Sequence, residues 1–567
     1  MTFTQNFTAV GNSLALTAIV ALIPILYFFW ALAIKRMKGH IAGLTTLILA
    51  IIIAVIAYKV PAGMAVMSAT QGAVYGVLPI GWIIVASVFL YKLTVKSGQF
   101  DIIRHSVLSI TEDRRLQALL VAFSFGAFLE GAAGFGAPVA ISAALLVGLG
   151  FNPLYAAGIC LIANTAPVAF GAIGTPVIAM EGPTGIPAKE ISKMIGRQLP
   201  FLSAFIPFYL VLIMAGFKKT MEVLPAILVS GLSFAIAQYL SSNFLGPELP
   251  DILSALISLV SLAIFLNFWK PKTIFRFSAE QEFAATAAVT LPGGKSKAVH
   301  YTGGQIFKAW SPFILLTATI TLWGIPTIKS ALSGHYEGSN AILKAINSIG
   351  HAFTFMPEVP LVHNKVISKA GAAAAPAFYK LEILAAAGTA IVIAAIITKF
   401  IVKMSWKTWV ETFGETLNEV KYPLITIASV VGFAYVINVA GMSTTLGLAL
   451  AKTGAVLFPF FSPFLGWLGV FVTGSDTSAN VLFANLQKVT AESIGMNPIL
   501  ALAANSSGGV TGKMISPQSI AVACAAVGLV GKESELFRFT IKHSIFLVVI
   551  IGIIVWLQNS VLSFMIP

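Results

Sequence analysis

The sequence is short of charge. Only 10% of its 567 residues are Asp, Glu, Lys or Arg, against 57% hydrophobic, and its mean hydropathy is +0.91. Soluble domains carry roughly 25% charged residues, so the composition excludes an ordinary soluble fold and specifies a polytopic membrane protein. Cysteine is nearly missing. Cys160 and Cys524 both sit in apolar surroundings, which excludes a disulfide framework and a Cys-based metal site. The seven histidines lie in loops or span ends without an i, i+4 pair, and neither His-Glu-x-x-His nor Gly-x-Ser-x-Gly occurs. The stretch SGGVTGKM (507–514) has the look of a phosphate-binding loop. Ser507 replaces its first glycine, however, and Met514 its closing Ser or Thr, inside an apolar run. No cofactor is called for, and without a nucleotide site any transport would run on an ion gradient. The N-terminus lacks the short apolar core and small-residue cleavage site of a secretory signal. A net charge of +14 would indicate nucleic acid in a soluble protein; here it reads as positive loops on the cytoplasmic side, with no nucleic-acid partner.

What is abundant is apolar runs. Those near 14–34, 41–60, 70–92, 153–180, 199–217, 222–242, 250–268, 308–326, 376–400, 421–441, 496–520 and 543–563 read as full spans. Each is close to the roughly 20 residues a bilayer core needs. Two more, about 117–150 and 461–494, are the wrong length for one span and tight for two, and read as re-entrant hairpins. Lys35, Arg36 and Lys38 after the first span place the N-terminus outside, and the later basic clusters then fall inside. The exception is 181–198, which lands outside with Lys189, Lys193 and Arg197. The segment 270–307 reads as a cytoplasmic linker and 327–375 as an external loop; Lys380 and Glu382, near the start of the 376–400 span, are expected to snorkel to the interface.

Within the spans the chain repeats itself. Residues 163–176 read ANTAPVAFGAIGTP and 504–517 read ANSSGGVTGKMISP, which pairs Asn164 with Asn505, Thr165 with Ser506, Gly171 with Gly512, Thr175 with Ser516 and Pro176 with Pro517. GFNPL (150–154) matches GMNPI (495–499), Glu130 pairs with Asp476, and Pro79 pairs with Pro423. The matches keep one order at offsets of 341 to 346, so a unit of span, hairpin and broken span is duplicated. The basic residues follow the leading span in one copy and precede it in the other, which makes the copies inverted. Inverted repeats with paired discontinuous helices mark many secondary transporters, whose sites lie at the breaks. The domain reading is N-terminal spans (1–60), a first transport repeat (61–198), scaffold spans (199–400), a second transport repeat (401–531) and a C-terminal span (532–567).

Broken backbone at membrane depth is tolerated where it is buried or lines a cavity. It offers amides to anions and carbonyls to cations or polar groups. Asn164, Thr165, Thr175, Asn505, Ser506, Ser507 and Ser516 add short neutral groups, a lining suited to a small hydrophilic anion. Close helix packing also selects Gly, Ser and Thr, so single residues of this set have a structural alternative. Three charges lie inside apolar segments: Glu130, Asp476 and Lys513. An intramembrane charge costs on the order of 3 kcal/mol on insertion scales and usually faces the bundle interior. Glu130 and Asp476 are the candidate proton carriers. Lys513, which stands where the first copy has Ala172, is the candidate anchor for a substrate anion or a structural partner of either carboxylate.

GAFLEGAAGFGAPVAI (126–141), NPLYAAGICLIANTAPVAFGAIGTP (152–176), TGSDTSANVLFANLQ (473–487) and ANSSGGVTGKMISPQSIAVA (504–523) resemble the L-lactate permease family of bacterial secondary transporters. The resemblance implies uptake of lactate, and often glycolate, with protons across the bacterial inner membrane. It also implies kinship with elevator-type carriers that move a hairpin-bearing domain. The residues by themselves stop at an ion-coupled carrier of a small anion, not an enzyme. A sodium-coupled dicarboxylate carrier, an intramembrane hydrolase using Asp476 and Glu130 as acid and base, and a receptor-like sensor are the competing readings. Dicarboxylates would ask for more positive charge than Lys513, catalysis needs no two-sided duplication, and no signalling domain is evident.

Overall fold

The computed structural model describes residues 2–134, 137–277, 301–368, 373–379 and 381–567. Lys295, Lys297, Lys380, most of the linker and the residues 135–136 in the first hairpin motif lie outside them. The chain is mostly helical. Among the described residues, eleven helices are long and apolar enough to cross a membrane, or 12 when one bent pair counts as a span. Their lipid-side faces are large apolar side chains such as Ile19, Ile48, Ile236 and Ile264, all exposed. This is the inverse of a soluble surface and fits a bilayer solvent.

Two helices frame the bundle. Ala62–Lys96 and Trp406–Ala440 are each 35 residues long, and their starts are 344 residues apart, the offset that pairs Pro79 with Pro423. Both outrun the spans expected at 70–92 and 421–441, and both carry a proline, Pro79 or Pro423, inside the helix. Around Pro79, which has no N–H to give, the ladder widens to π over Gly76–Gly81. The two helices cross antiparallel and very close. A Cβ on Gly72 would sit 2.7 Å from Gly432 Cα, and one on Gly76 would sit 3.1 Å from Ala428 Cα. At one end Lys96 Nζ lies 2.6 Å from Glu415, and Lys92 pairs with Glu419.

Each expected hairpin is two helices joined by a short turn. The first runs Arg114–Ala132 and then Ala137–Gly148. The second runs Gly454–Thr473, turns at Gly474 and Ser475, and returns as Asp476–Ile494. The expected break near 164 is present: Pro153–Ala163 and Val168–Thr184 meet at 64°. The second copy departs from expectation. Its helix Pro498–Lys513 runs unbroken through Asn505, Ser506 and Ser507 and ends only at Met514. Gly508 stands where the first copy has Pro167, so the amide that Pro167 lacks is present and the helix continues. A Cβ on Gly508 would meet Pro463 O at 2.0 Å, which accounts for glycine there. The span expected at 376–400 is also shorter, Ala387–Ile401. The preceding stretch is held extended, with Phe378 bridged to Glu358 and Leu381–Glu382 paired with Thr354–Phe355.

Contacts outside the spans agree with the charge layout. Arg115, fully buried, pairs with Asp113 at 2.7 Å and Glu222 at 2.8 Å and donates to the Thr273 carbonyl, joining three segments expected inside. Arg197 donates to Asn243 and to the Met565 carbonyl, joining three expected outside.

Candidate functional site

Four irregularities meet at one point. The first is the tip of the first hairpin, where Gly134 turns left-handed (φ +60) and a Cβ would lie 3.0 Å from Ala172 Cβ. The second is the break between Pro153–Ala163 and Val168–Thr184. Asn164 closes the first half, Pro167 denies it another amide, and Ala172, Ile173 and Gly174 all take left-handed conformations before the helix resumes. Two consecutive non-glycine residues there cost about 1–2 kcal/mol each, a strain of the kind that collects at functional sites. The third is the tip of the second hairpin, where Gly474 (φ +71) ends one arm and Ser475 caps the next through the Ser478 amide. The fourth is the gap Met514–Ser516, after which Ser516 caps the helix Pro517–Ala526.

These elements enclose a cavity of about 70 Å³ whose lining includes Glu130, Gly134, Gly171, Asp476, Lys513 and Ser519. Lys513 Nζ donates to Glu130 Oε1 at 2.6 Å, with side-chain exposures of 10% and 3%. Gly171 makes room for that pair, since a Cβ there would lie 2.8 Å from Glu130 Oε1. The other oxygen, Glu130 Oε2, has no hydrogen-bond partner among the described residues. Asp476 Oδ2 accepts from Ser506 Oγ at 2.7 Å and from Asn480 Nδ2 at 3.0 Å, whereas its Oδ1 has no such partner. Lys513 is the one cation among the described lining residues.

The structure therefore divides the residues singled out in the sequence. Glu130, Asp476 and Lys513 line the cavity. Ser506 supports it by holding Asp476. Asn505 turns to a buried amide network, donating to Asn480 at 2.9 Å and accepting from Gln487 at 3.1 Å. Ser507 donates to Gln198 at 2.7 Å, and Gln198 in turn reaches Gln558. Thr175 Oγ1 donates to the Ala172 carbonyl at 2.5 Å, clamping the left-handed turn. Ser516 is taken up in its cap. Asn164 Nδ2 and Thr165 Oγ1 are buried with no hydrogen-bond partner among the described residues.

Sequence reasoning passed over Asn480, which links Asp476, Ser506 and the Pro176 carbonyl and so ties the second hairpin to the first break. Its signal was there: Asn480 follows Asp476 by four residues, which places both on one helix face. Gln487 carried no such signal, because its partners Asn505 and the Ser462 carbonyl come from other elements.

The L-lactate permease of Bacillus subtilis (strain 168) is 70% identical over 100% of both chains. Glycolate permease GlcA of Escherichia coli (strain K12) is 55% identical over 99% of both. Among solved structures, Neisseria gonorrhoeae MtrF, described with a class of antimetabolite efflux pumps, aligns at a TM-score of 0.48 and 12% identity. The alignment covers 91% of this chain and 94% of that one. The family model of L-lactate permease matches residues 17–562. A multi-pass plasma-membrane permease, and not an enzyme, is what these matches and the spans require. Matched by that family model over nearly its whole length, and 70% identical to one of its permeases from end to end, the chain belongs to the L-lactate permease family.

Proposed function

We propose that the protein takes up L-lactate and related small 2-hydroxy monocarboxylates, D-lactate and glycolate among them, by proton symport across the plasma membrane. The observation that carries this reading is the Lys513–Glu130 pair at 2.6 Å in a small cavity where both hairpin tips and both helix breaks converge. A lone cation already held by a carboxylate is a place where a carboxylate and a proton can be exchanged together. While Glu130 is ionised it occupies Lys513. Protonation of Glu130 frees the ammonium, and the substrate carboxylate replaces Glu130 as its partner. Each ligand favours the other, and the buried charge is unchanged when both are bound, which avoids leaving an unpaired ion in low dielectric. Asp476, held on one oxygen and open on the other, is a second candidate proton carrier. Ser475, Thr477 and Ser519, which line the cavity, supply neutral groups for the hydroxyl and the second carboxylate oxygen, whereas Asn164 and Thr165 are not among its lining residues.

The inverted-repeat reading is supported by the two 35-residue helices at a 344-residue offset, crossing antiparallel. In this reading repeats 61–198 and 401–531 supply the site, both hairpins are re-entrant, and the hairpin-bearing unit shifts across the bilayer against the scaffold spans in an elevator motion.

The test is uptake of labelled L-lactate by purified, reconstituted protein under separately imposed pH, sodium and voltage gradients. One anion with one proton is electroneutral, so uptake should follow the pH gradient and ignore voltage. A further co-transported cation would respond by roughly 2.3 kcal/mol per 100 mV. Uptake indifferent to pH and driven by sodium, with competition by succinate, would overturn the proposal in favour of a sodium-coupled dicarboxylate carrier.

A further inference from the structure

One buried carboxylate has no place in the account above. Asp251 stands in the first turn of the helix Pro250–Phe268, is 1% exposed, and has no hydrogen-bond partner among the described residues for either oxygen. An ionised carboxylate there would be buried without a hydrogen bond to either oxygen, which is costly even at a helix N-terminus. A neutral one keeps an O–H to donate.

An acceptor is close by. A Cβ on Gly131 would lie 2.7 Å from Asp251 Cβ and 3.0 Å from Ile252 Cγ1, so glycine at 131 lets the first hairpin close onto Asp251. The residue before it is Glu130, whose Oε2 is likewise buried without a hydrogen-bond partner. Glu130 and Lys513 both act electrostatically on Asp251. The helical segments packed along Pro250–Phe268 are Ala118–Phe125, Gly126–Ala132, Leu224–Phe244 and Gly171–Thr184. Their acidic and basic side chains are Glu130 and Glu181, with Tyr239 the remaining titratable group. On the other side, the loop before Pro250 presses on the first break, since a Cβ on Gly174 would lie 2.2 Å from the Pro247 carbonyl oxygen. That loop carries Glu248, whose carboxyl is pushed up by burial and which feels Lys329, Glu181 and Lys189 from segments expected outside.

We propose that Asp251 is a proton relay, passing a proton from the Glu248 side of the molecule to Glu130 Oε2. This rests on the proton-symport reading. In the transfer the Asp251 O–H bond breaks and an O–H bond forms on Glu130. The electron pair stays on Asp251, and a proton arriving from external water past Glu248 restores the acid. Asp251 acts through Glu130 and is a positioning and relay group; it touches no substrate.

The test uses full-length reconstituted protein, labelled L-lactate, and the Asp251→Asn and Asp251→Glu variants. Three readouts are taken: lactate exchange at equal pH, accumulation driven by a pH gradient, and lactate-induced proton flux. For Asp251→Asn the ratio of pH-driven accumulation to exchange should fall about tenfold or more, the scale of a lost proton-transfer group. Asp251→Glu should restore most of it with a displaced pH profile. Wild-type protein should show an infrared band of a protonated carboxylic acid at neutral pH that the Asn variant lacks. A wild-type ratio in Asp251→Asn, or equal losses of exchange and accumulation in folded protein, would overturn the relay. If Asp251→Asn does not fold, a wild-type pH profile in Asp251→Glu overturns it. Absence of pH-driven uptake in the wild type removes the symport reading and the relay together. Coupled wild-type uptake with an unaffected variant removes the relay alone.

Discussion

Replacing Lys513 with alanine tests the site most directly. The ammonium donates to Glu130 at 2.6 Å and is the sole cation among the described lining residues. A substrate carboxylate that takes over this bond gains a charge-assisted hydrogen bond, about 1.5–3 kcal/mol net. At about 1.4 kcal/mol per decade, its loss should raise KM for L-lactate about ten- to hundredfold. Removing one partner of a buried ion pair also costs about 3–5 kcal/mol of stability when the other stays charged. Lys513→Ala with Glu130→Gln removes both charges and should therefore be the more stable variant, while KM stays high. Lys513→Arg should not rescue, because a planar guanidinium cannot replace a compact ammonium in a cavity of about 70 Å³. The assay is initial-rate uptake in proteoliposomes across substrate concentrations, with thermal unfolding in detergent alongside. A KM within about twofold of wild type, well below what a charged hydrogen bond supplies, would refute a substrate contact and leave Lys513 structural.

Glu130→Gln should weaken pH-driven accumulation far more than lactate exchange, read by counterflow beside imposed-gradient uptake. Gly466→Ala places a Cβ 1.8 Å from the Asn505 carbonyl oxygen; overpacking of this order costs about 1–3 kcal/mol or more and should lower the unfolding temperature. Arg115→Ala leaves buried Asp113 unpaired, a loss of about 3–5 kcal/mol, measurable by the same melt. Lys219 and then Arg115 hold the Glu222 carboxyl down to about 2. A depressed carboxyl contributes fully above its unfolded value of 4.5 and loses that contribution progressively as pH falls from there through about 2. The Arg115 effect should therefore be the same from pH 5 to pH 8.

Periodicity of duplication was legible because it is written in prolines and glycines, which act locally. Pro79 and Pro423 marked the paired leading spans without giving their length, and Pro167 reported a break through the amide it lacks. The break expected at Asn505 was misplaced for the same reason: the mark was read from the partner copy, and Gly508 does not carry it. Glu130, Asp476 and Lys513 were visible as charges in apolar runs, where bilayer cost makes any charge conspicuous. Asp251 was hidden by its position at a span boundary, where carboxylates are ordinary at helix N-termini. Only packing against Gly131 shows that this boundary is buried. The extended stretch before Ala387 was read as membrane because its apolar side chains cover a loop, and composition alone does not distinguish the two.

The places where the two copies differ bear on what the cavity can hold. Each copy gives it a hairpin tip, a helix break and one carboxylate, so the frame is close to symmetric. The cation is not: Lys513 answers to Ala172, which instead turns left-handed against Gly134. A second lysine at 172 would face the same small space and leave two ammonium groups for a cavity of about 70 Å³. Like charges at that range repel by several kcal/mol at an effective dielectric near 20. That arrangement would be relieved only by a ligand bearing two carboxylates. One lysine matched to one carboxylate is relieved by one anion and one proton. In the proposed reading the asymmetry in an otherwise duplicated site favours a monocarboxylate, and Ala172→Lys, if it folds, should shift preference from lactate toward dicarboxylates.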